Sequence, residues 1–173
     1  MKLNEILNTV LKPAAPNQEM KNYNLKMKSN TSRSMSAIFT APNEKGEMIK
    51  YLAMAFVDPR PEHDAWEIAF VEADKNDNMK NIGDVMTGYN NAPAVYGAFS
   101  RFLEKFAQEK HPDVVHITSG LNEPKKVQFY RLMANRFASK FGYKVAREYE
   151  DFMYDRNVSI IELRKNDDLR EQT

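Results

Sequence analysis

The loop Thr87-Gly88-Tyr89-Asn90-Asn91-Ala92-Pro93 is where this chain gathers residues suited to chemistry. It follows a β-like segment, Trp66 to Glu72, and leads into an amphipathic helical stripe. A turn that opens onto a helix N-terminus offers free backbone N–H groups at the positive end of the helix, which suits an anion such as a phosphate. Gly88, Asn90, Asn91, Ala92 and Ala94 are the small or turn-forming residues around it. Pro93 removes one donor, and no Arg or Lys lies between Lys80 and Arg101 to add a cation. The same residues serve equally as a plain helix cap on a tight turn. Proton-transfer groups lie nearby. Glu67 and Glu72 sit on the Trp66 segment with opposite parity, so at most one faces a given side. His116 lies in the next β-like segment. A carboxylate or imidazole of tuned pKa can act as a general base; a solvated strand face and a core-edge histidine are the ordinary readings of the same residues.

Other chemistries are closed off. There is no cysteine, which removes thiolate catalysis, disulfides and Cys-ligated zinc. Three scattered histidines without HExxH or HxH spacing give no metal site. Lys plus Arg is 25 against Asp plus Glu 24, a balance that does not support a nucleic-acid partner. No apolar run is long enough to cross a bilayer, and the N-terminal residues lack the unbroken apolar core of a signal peptide. The expectation is a soluble, cytoplasmic protein. A 173-residue chain with 42% hydrophobic residues suits one domain with a sizeable core.

The elements that must position these groups follow from periodicity. Leu3, Ile6, Leu7, Val10 and Leu11 recur at helical spacing until Pro13. This amphipathic stretch either packs on its own domain or docks on a partner through residues 1–20. A polar linker follows, with one short strand over Tyr23 to Met27. Residues 1–34 read as helix and linker, 35–164 as the domain, and 165–173 as a charged tail. Ser36 to Thr40 and Ile49 to Val57 form a hairpin, and Trp66 to Glu72 extends it into an antiparallel meander. A loop covers Asp74 to Asp84. Val95, Phe99, Phe102, Leu103 and Phe106 make a helical stripe ending at His111-Pro112-Asp113. Val114 to Ile117 is a short strand, and strand–helix–strand at this length implies parallel pairing across a right-handed crossover. Pro124 opens the next helix, which carries Val127, Tyr130, Ala134, Phe137 and Phe141 on one side and ends at Gly142. Lys125, Lys126, Arg131, Arg136 and Lys140 make it basic: a solvated face, or an attraction for phosphates. Strands over Tyr143 to Tyr154 and Val158 to Leu163 flank a turn at Asp155-Arg156-Asn157. The sum is a mixed α/β domain: helices on a mostly antiparallel sheet.

This order resembles the GCN5-related N-acetyltransferase (GNAT) family over roughly residues 36–164, most clearly from Trp66 to Val145. Within it, the run is similar to small GNAT-like proteins frequent in tailed phages, which share an ordered set of short motifs. Here the counterparts are Tyr51 to Phe56 (one residue longer), Trp66 to Phe70, Thr87 to Ala92, Pro112-Asp113-Val114 and Phe129-Tyr130. The resemblance implies a GNAT-like fold and a CoA-dependent acyltransferase passing an acetyl group from acetyl-CoA to an amine. It further implies that backbone donors at Phe70, Val71 and Glu72 hold the acyl carbonyl. The loop carrying Gly88, Asn90, Asn91, Ala92 and Ala94 would hold the pyrophosphate. Tyr130 would be the acid, and Glu67, Glu72 or His116 the base. Two features depart from the family pattern. The Gln/Arg-x-x-Gly-x-Gly/Ala loop is absent, and Ala138 stands where a catalytic Tyr is common. The competing reading is a non-catalytic, phage-encoded binding or structural protein, in host cytoplasm or virion, that docks through its N-terminal helix.

Overall fold

In a computed structural model, residues 25–42, 45–59, 65–79, 92–121, 124–153 and 155–166 are described. The elements follow the hydrophobic period. β1 (Lys26–Asn30), β2 (Ser34–Pro42), β3 (Met48–Val57) and β4 (Trp66–Glu72) come first. Then α1 (Ala92–Lys110), β5 (Val114–Gly120), α2 (Pro124–Phe141), β6 (Tyr143–Met153) and β7 (Arg156–Lys165) complete the order. They build one seven-stranded sheet in the order β1-β2-β3-β4-β5-β7-β6. Every neighbouring pair is antiparallel except β4 with β5. This is the mixed, mostly antiparallel sheet with flanking helices that the family resemblance implied. The proposed N-terminal helix lies outside the described residues.

One face of the sheet is aromatic and is covered by both helices. Phe70 of β4 is the hub: its ring lies 4.7 Å from Phe99 of α1, 5.7 Å from Tyr130 of α2 and 6.3 Å from Tyr51 of β3. Trp66 meets Phe106 at 5.3 Å on the same face, as the alternation of Trp66, Ile68 and Phe70 requires. Edge-on and tilted contacts of this kind add to the burial of the rings themselves.

Three local differences from the sequence reading have simple causes. The first strand runs over Lys26–Asn30, not 23–27, because it pairs back on β2 directly, with Asn30 opposite Met35; Tyr23 lies outside the described residues. Arg156 and Asn157 belong to β7, not to a turn: Met153 pairs with Arg156, so residues 154–155 make the link. Asp155 there has φ 58°, the left-handed conformation that a type I′ turn uses at its second central residue. Finally, β5 reaches Gly120, three residues past Ile117, because β7 pairs with it all the way to Val158. Gly142 has φ 74° and ends α2 as a left-handed C′ residue.

Candidate functional site

The site begins with a break in the sheet. β4 and β5 pair only through Trp66 with Val115, Glu67 with His116 and Ile68 with Ile117. Beyond that point each strand follows its outer neighbour, β4 along β3 to Tyr51 and β5 along β7 to Val158. Held on opposite sides only, the two strands splay apart. The direction of their backbone groups follows from the flanking hydrogen bonds. The Ala73 N–H donates to the Lys50 carbonyl and the Asp58 N–H to the Ala65 carbonyl. Odd-numbered residues of β4 therefore turn their backbone groups toward β3, and even-numbered ones toward β5. Phe70 and Glu72 face the splay, where no described strand pairs with them. Val71 faces the other way, opposite Leu52.

A cavity of ≈150 Å³ occupies this opening. Tyr130 and Phe70 reach it from the helix side of the sheet, and Glu67, Met54 and Thr118 from the other, with Arg156 also lining it. Both helices open toward this end, because α1 follows the C-terminal end of β4 and α2 that of β5. Their first-turn N–H groups are therefore directed to the same rim. Thr118 Oγ1 is buried and has no hydrogen-bond partner among the described residues. A buried hydroxyl left unpaired costs roughly 1–3 kcal/mol, a cost relieved by a ligand that pairs with it.

A row of charged residues crosses the face of the sheet opposite α1 and α2. Register places Glu67 beside His116, His116 beside Glu162, and Glu162 beside Arg147. Glu67, His116 and Glu162 are each at most 3% exposed. His116 Nε2 lies 3.3 Å from Glu162 Oε2, and its Nδ1 lies 3.8 Å from the buried Asp58 carboxylate. Arg147 Nη2 and Arg164 Nε donate to Glu162 at 2.8 and 2.6 Å. Burial by itself raises the Glu162 pKa, but the hydrogen bonds from Arg147, Arg164 and His116 outweigh it and bring it down to about 2. The folded value lies below the ordinary value of 4.5, so the stability supplied by ionised Glu162 is complete above that value. It is lost as pH falls from about 4.5 toward 2. Acid unfolding followed by circular dichroism should therefore show a steep limb in this window, and Glu162→Gln should flatten it. An unchanged acid limb in the variant would show that the pair adds nothing.

The predicted residues thus separate. Tyr130, Glu67, Phe70 and Val71 line one cavity. His116 stands in the row behind Glu67, and Glu72 ends β4 opposite Tyr51. Ala92 opens α1 and Ala94 lies in its first turn, while Gly88, Asn90 and Asn91 lie outside the described residues. Thr118, Asp58 and Glu162 are additions that the sequence reading passed over. Glu162 carried a signal, an acid inside the apolar run Ile160-Ile161-Glu162-Leu163. Thr118 carried none. No group of three or more His, Asp or Glu among the described residues is placed to hold a metal ion. No helix among the described residues is long and apolar enough to cross a membrane.

No protein-family model and no curated protein matches the chain. Solved structures give remote likenesses. An acetyltransferase of the GNAT family from Streptococcus pneumoniae is 12% identical over 79% of this chain and 70% of that one, with a TM-score of 0.45. Spermidine N-acetyltransferase from Vibrio cholerae in complex with CoA and spermine is 12% identical over 94% and 73%, with a TM-score of 0.39. Mutant forms of the spermidine/spermine N-acetyltransferase of the same organism are 13% identical over 80% and 72%, with a TM-score of 0.38. At TM-scores this low the likeness transfers nothing to the site of this chain.

Proposed function

We propose that the chain is a GNAT-like acyltransferase that takes an acetyl group from acetyl-CoA to an amine, with the splay between β4 and β5 as its acyl-thioester site. The observation that carries this reading is the pairing that stops at Ile68 and Ile117. It leaves the Phe70 backbone edge beside a cavity that also holds Tyr130, Glu67 and the Thr118 hydroxyl, which has no partner among the described residues. An extended thioester arm fits such an opening as a third strand would, and a bound acyl-CoA supplies the activated acyl group. In this assignment the Phe70 N–H donates to the acyl carbonyl oxygen, where negative charge grows during attack. Glu67 takes the proton from the attacking ammonium, which frees the nitrogen lone pair. Tyr130 O–H gives a proton to the departing sulfur. The carbon–nitrogen bond forms and the carbon–sulfur bond breaks, and the nitrogen sheds two protons: the first goes to Glu67, and the second, once the new bond has formed, restores the Tyr130 hydroxyl that has protonated the sulfur. The first turns of α1, with Ala92 and Ala94, and of α2 offer N–H groups to the pyrophosphate, and the sequence assigns Gly88, Asn90 and Asn91 to the same task. His116 and Glu72 are the reserve bases. Kinship to phage-type members rests on the motif set alone.

Calorimetric titration with acetyl-CoA tests the reading. The expected result is saturable binding, weakened by Thr118→Val while the ligand-free variant melts no lower than the parent, since a methyl replaces an unpaired hydroxyl. Absence of binding at millimolar acetyl-CoA overturns it.

A further inference from the structure

A second opening, larger than the splay, lies elsewhere on the domain. A groove of ≈330 Å³ runs along the seam between α1 and α2. Its position sets it apart from the acyl site. Tyr130 lines the splay, whereas the groove's lining on α2 starts at Met133 and runs through Arg136 to Phe141, roughly 5–16 Å further along at 1.5 Å per residue, and the two share no lining residue. The volume falls within the range of small-molecule sites.

The chemistry of the groove is one-sided. Its floor is apolar, with Leu103, Met133, Phe137 and Phe141, and the Phe137 and Phe141 rings lie 5.0 Å apart. Its charged groups are both cations, Arg136 and Lys140, set beside the hydroxyls of Tyr96, Ser100 and Ser139. Arg136 is half-buried at the wall. Its Nη1 donates to the Tyr96 hydroxyl at 2.8 Å, and its guanidinium lies 5.2 Å from the centre of that ring. A guanidinium carries five N–H donors, and the Tyr96 hydroxyl is neutral. No carboxylate among the described residues pairs with Arg136; the nearby acid, Glu104, is taken by Lys140 at 3.1 Å. Half-buried charges are ordinarily paired, because burial without a counter-charge is costly. Here the stacked guanidinium is fixed in direction by Tyr96 and faces a cavity with an aromatic floor.

We infer that the groove between α1 and α2 is a second binding site, for a small amphipathic anion: a carboxylate on an aromatic or short aliphatic body. The carboxylate takes a forked pair of hydrogen bonds from Arg136. The apolar body lies on Phe137, Phe141, Leu103 and Met133. Lys140, exposed and held by Glu104, contributes little. The site stands independently of the acyltransferase reading.

The probe is 2-naphthoate, titrated calorimetrically into the full chain at low salt, with 2-naphthylmethanol as its uncharged analogue. Saturable binding of the naphthoate is expected, with the alcohol weaker by about 10-fold or more, the measure of a charge-assisted hydrogen bond. Arg136→Gln should bring the naphthoate down to the level of the alcohol, and Arg136→Lys should recover part of the loss. Met133→Trp, which fills the floor, should abolish binding of both; thermal melts confirm that each variant is folded. Saturating acetyl-CoA should not displace the probe. The inference is overturned if the naphthoate shows no saturable binding, if Arg136→Gln binds it as tightly as the parent, or if acetyl-CoA competes with it.

Discussion

Tyr130→Phe should lower the turnover of acetyl transfer by about 100- to 10,000-fold, the range for losing a positioned general acid. Its affinity for acetyl-CoA should be unchanged. The two effects separate because the ring and the hydroxyl have different tasks. The ring packs edge-on against Phe70 at 5.7 Å and is 1% exposed, and phenylalanine keeps that contact. The hydroxyl alone is lost, at a stability cost of about 1 kcal/mol. The assay follows thiol release from acetyl-CoA over a panel of primary amines, alongside calorimetry of the same preparations. The basic limb of the pH–rate profile should also change, since it reports the essential acid. Full turnover in the variant would remove Tyr130 from the mechanism and leave the splay as a binding site only.

Phe99→Ala should destabilise the fold by about 3–5 kcal/mol, the usual cost of deleting a buried phenylalanine ring. Phe99 is fully buried and sits between Phe70, 4.7 Å away, and Phe102, 6.0 Å away. It joins α1 to the strand that carries the site. Against a total stability of about 5–15 kcal/mol for a domain, that loss is a large fraction. Urea unfolding should show a lower midpoint at an unchanged slope. A loss below 1 kcal/mol, on the order of an ordinary surface substitution, would mean that the helix layer repacks around the hole. Because Phe70 then loses its neighbour on one side, acetyl-CoA binding should weaken as well, even in conditions where the variant remains folded.

The elements that were legible in the sequence are those coded by local pattern. Trp66 to Glu72 was read to the residue, because alternation of Trp66, Ile68 and Phe70 has no competing helical period. Both described helices were placed within a residue or two, since Pro124, Gly142 and the His111-Pro112 break mark their ends. The parallel pairing of β4 with β5 followed from the length of the crossover. The two ends of the meander were read less well. β1 is polar and lies at the sheet edge, so three of its five residues are exposed and carry no burial signal. The link between β6 and β7 depends on a left-handed Asp155, which a non-glycine residue does not announce.

Composition and period alone settle which segments are strand or helix, their order, and the absence of thiol chemistry. Those are statements about neighbours along the chain, where side-chain spacing acts directly. The splay is of another kind. It exists because β3 and β7 pull β4 and β5 in different directions, and neither strand's own residues record that competition. The same holds for the row Glu67, His116, Glu162 and Arg147, whose members come from four strands and meet only through register. Thr118 is an ordinary strand threonine until the strand beside it turns away and leaves its hydroxyl buried, with no partner among the described residues. Local sequence chose the parts; the pairing of strands far apart in the chain decided which of them face one another, and with that, where chemistry can take place.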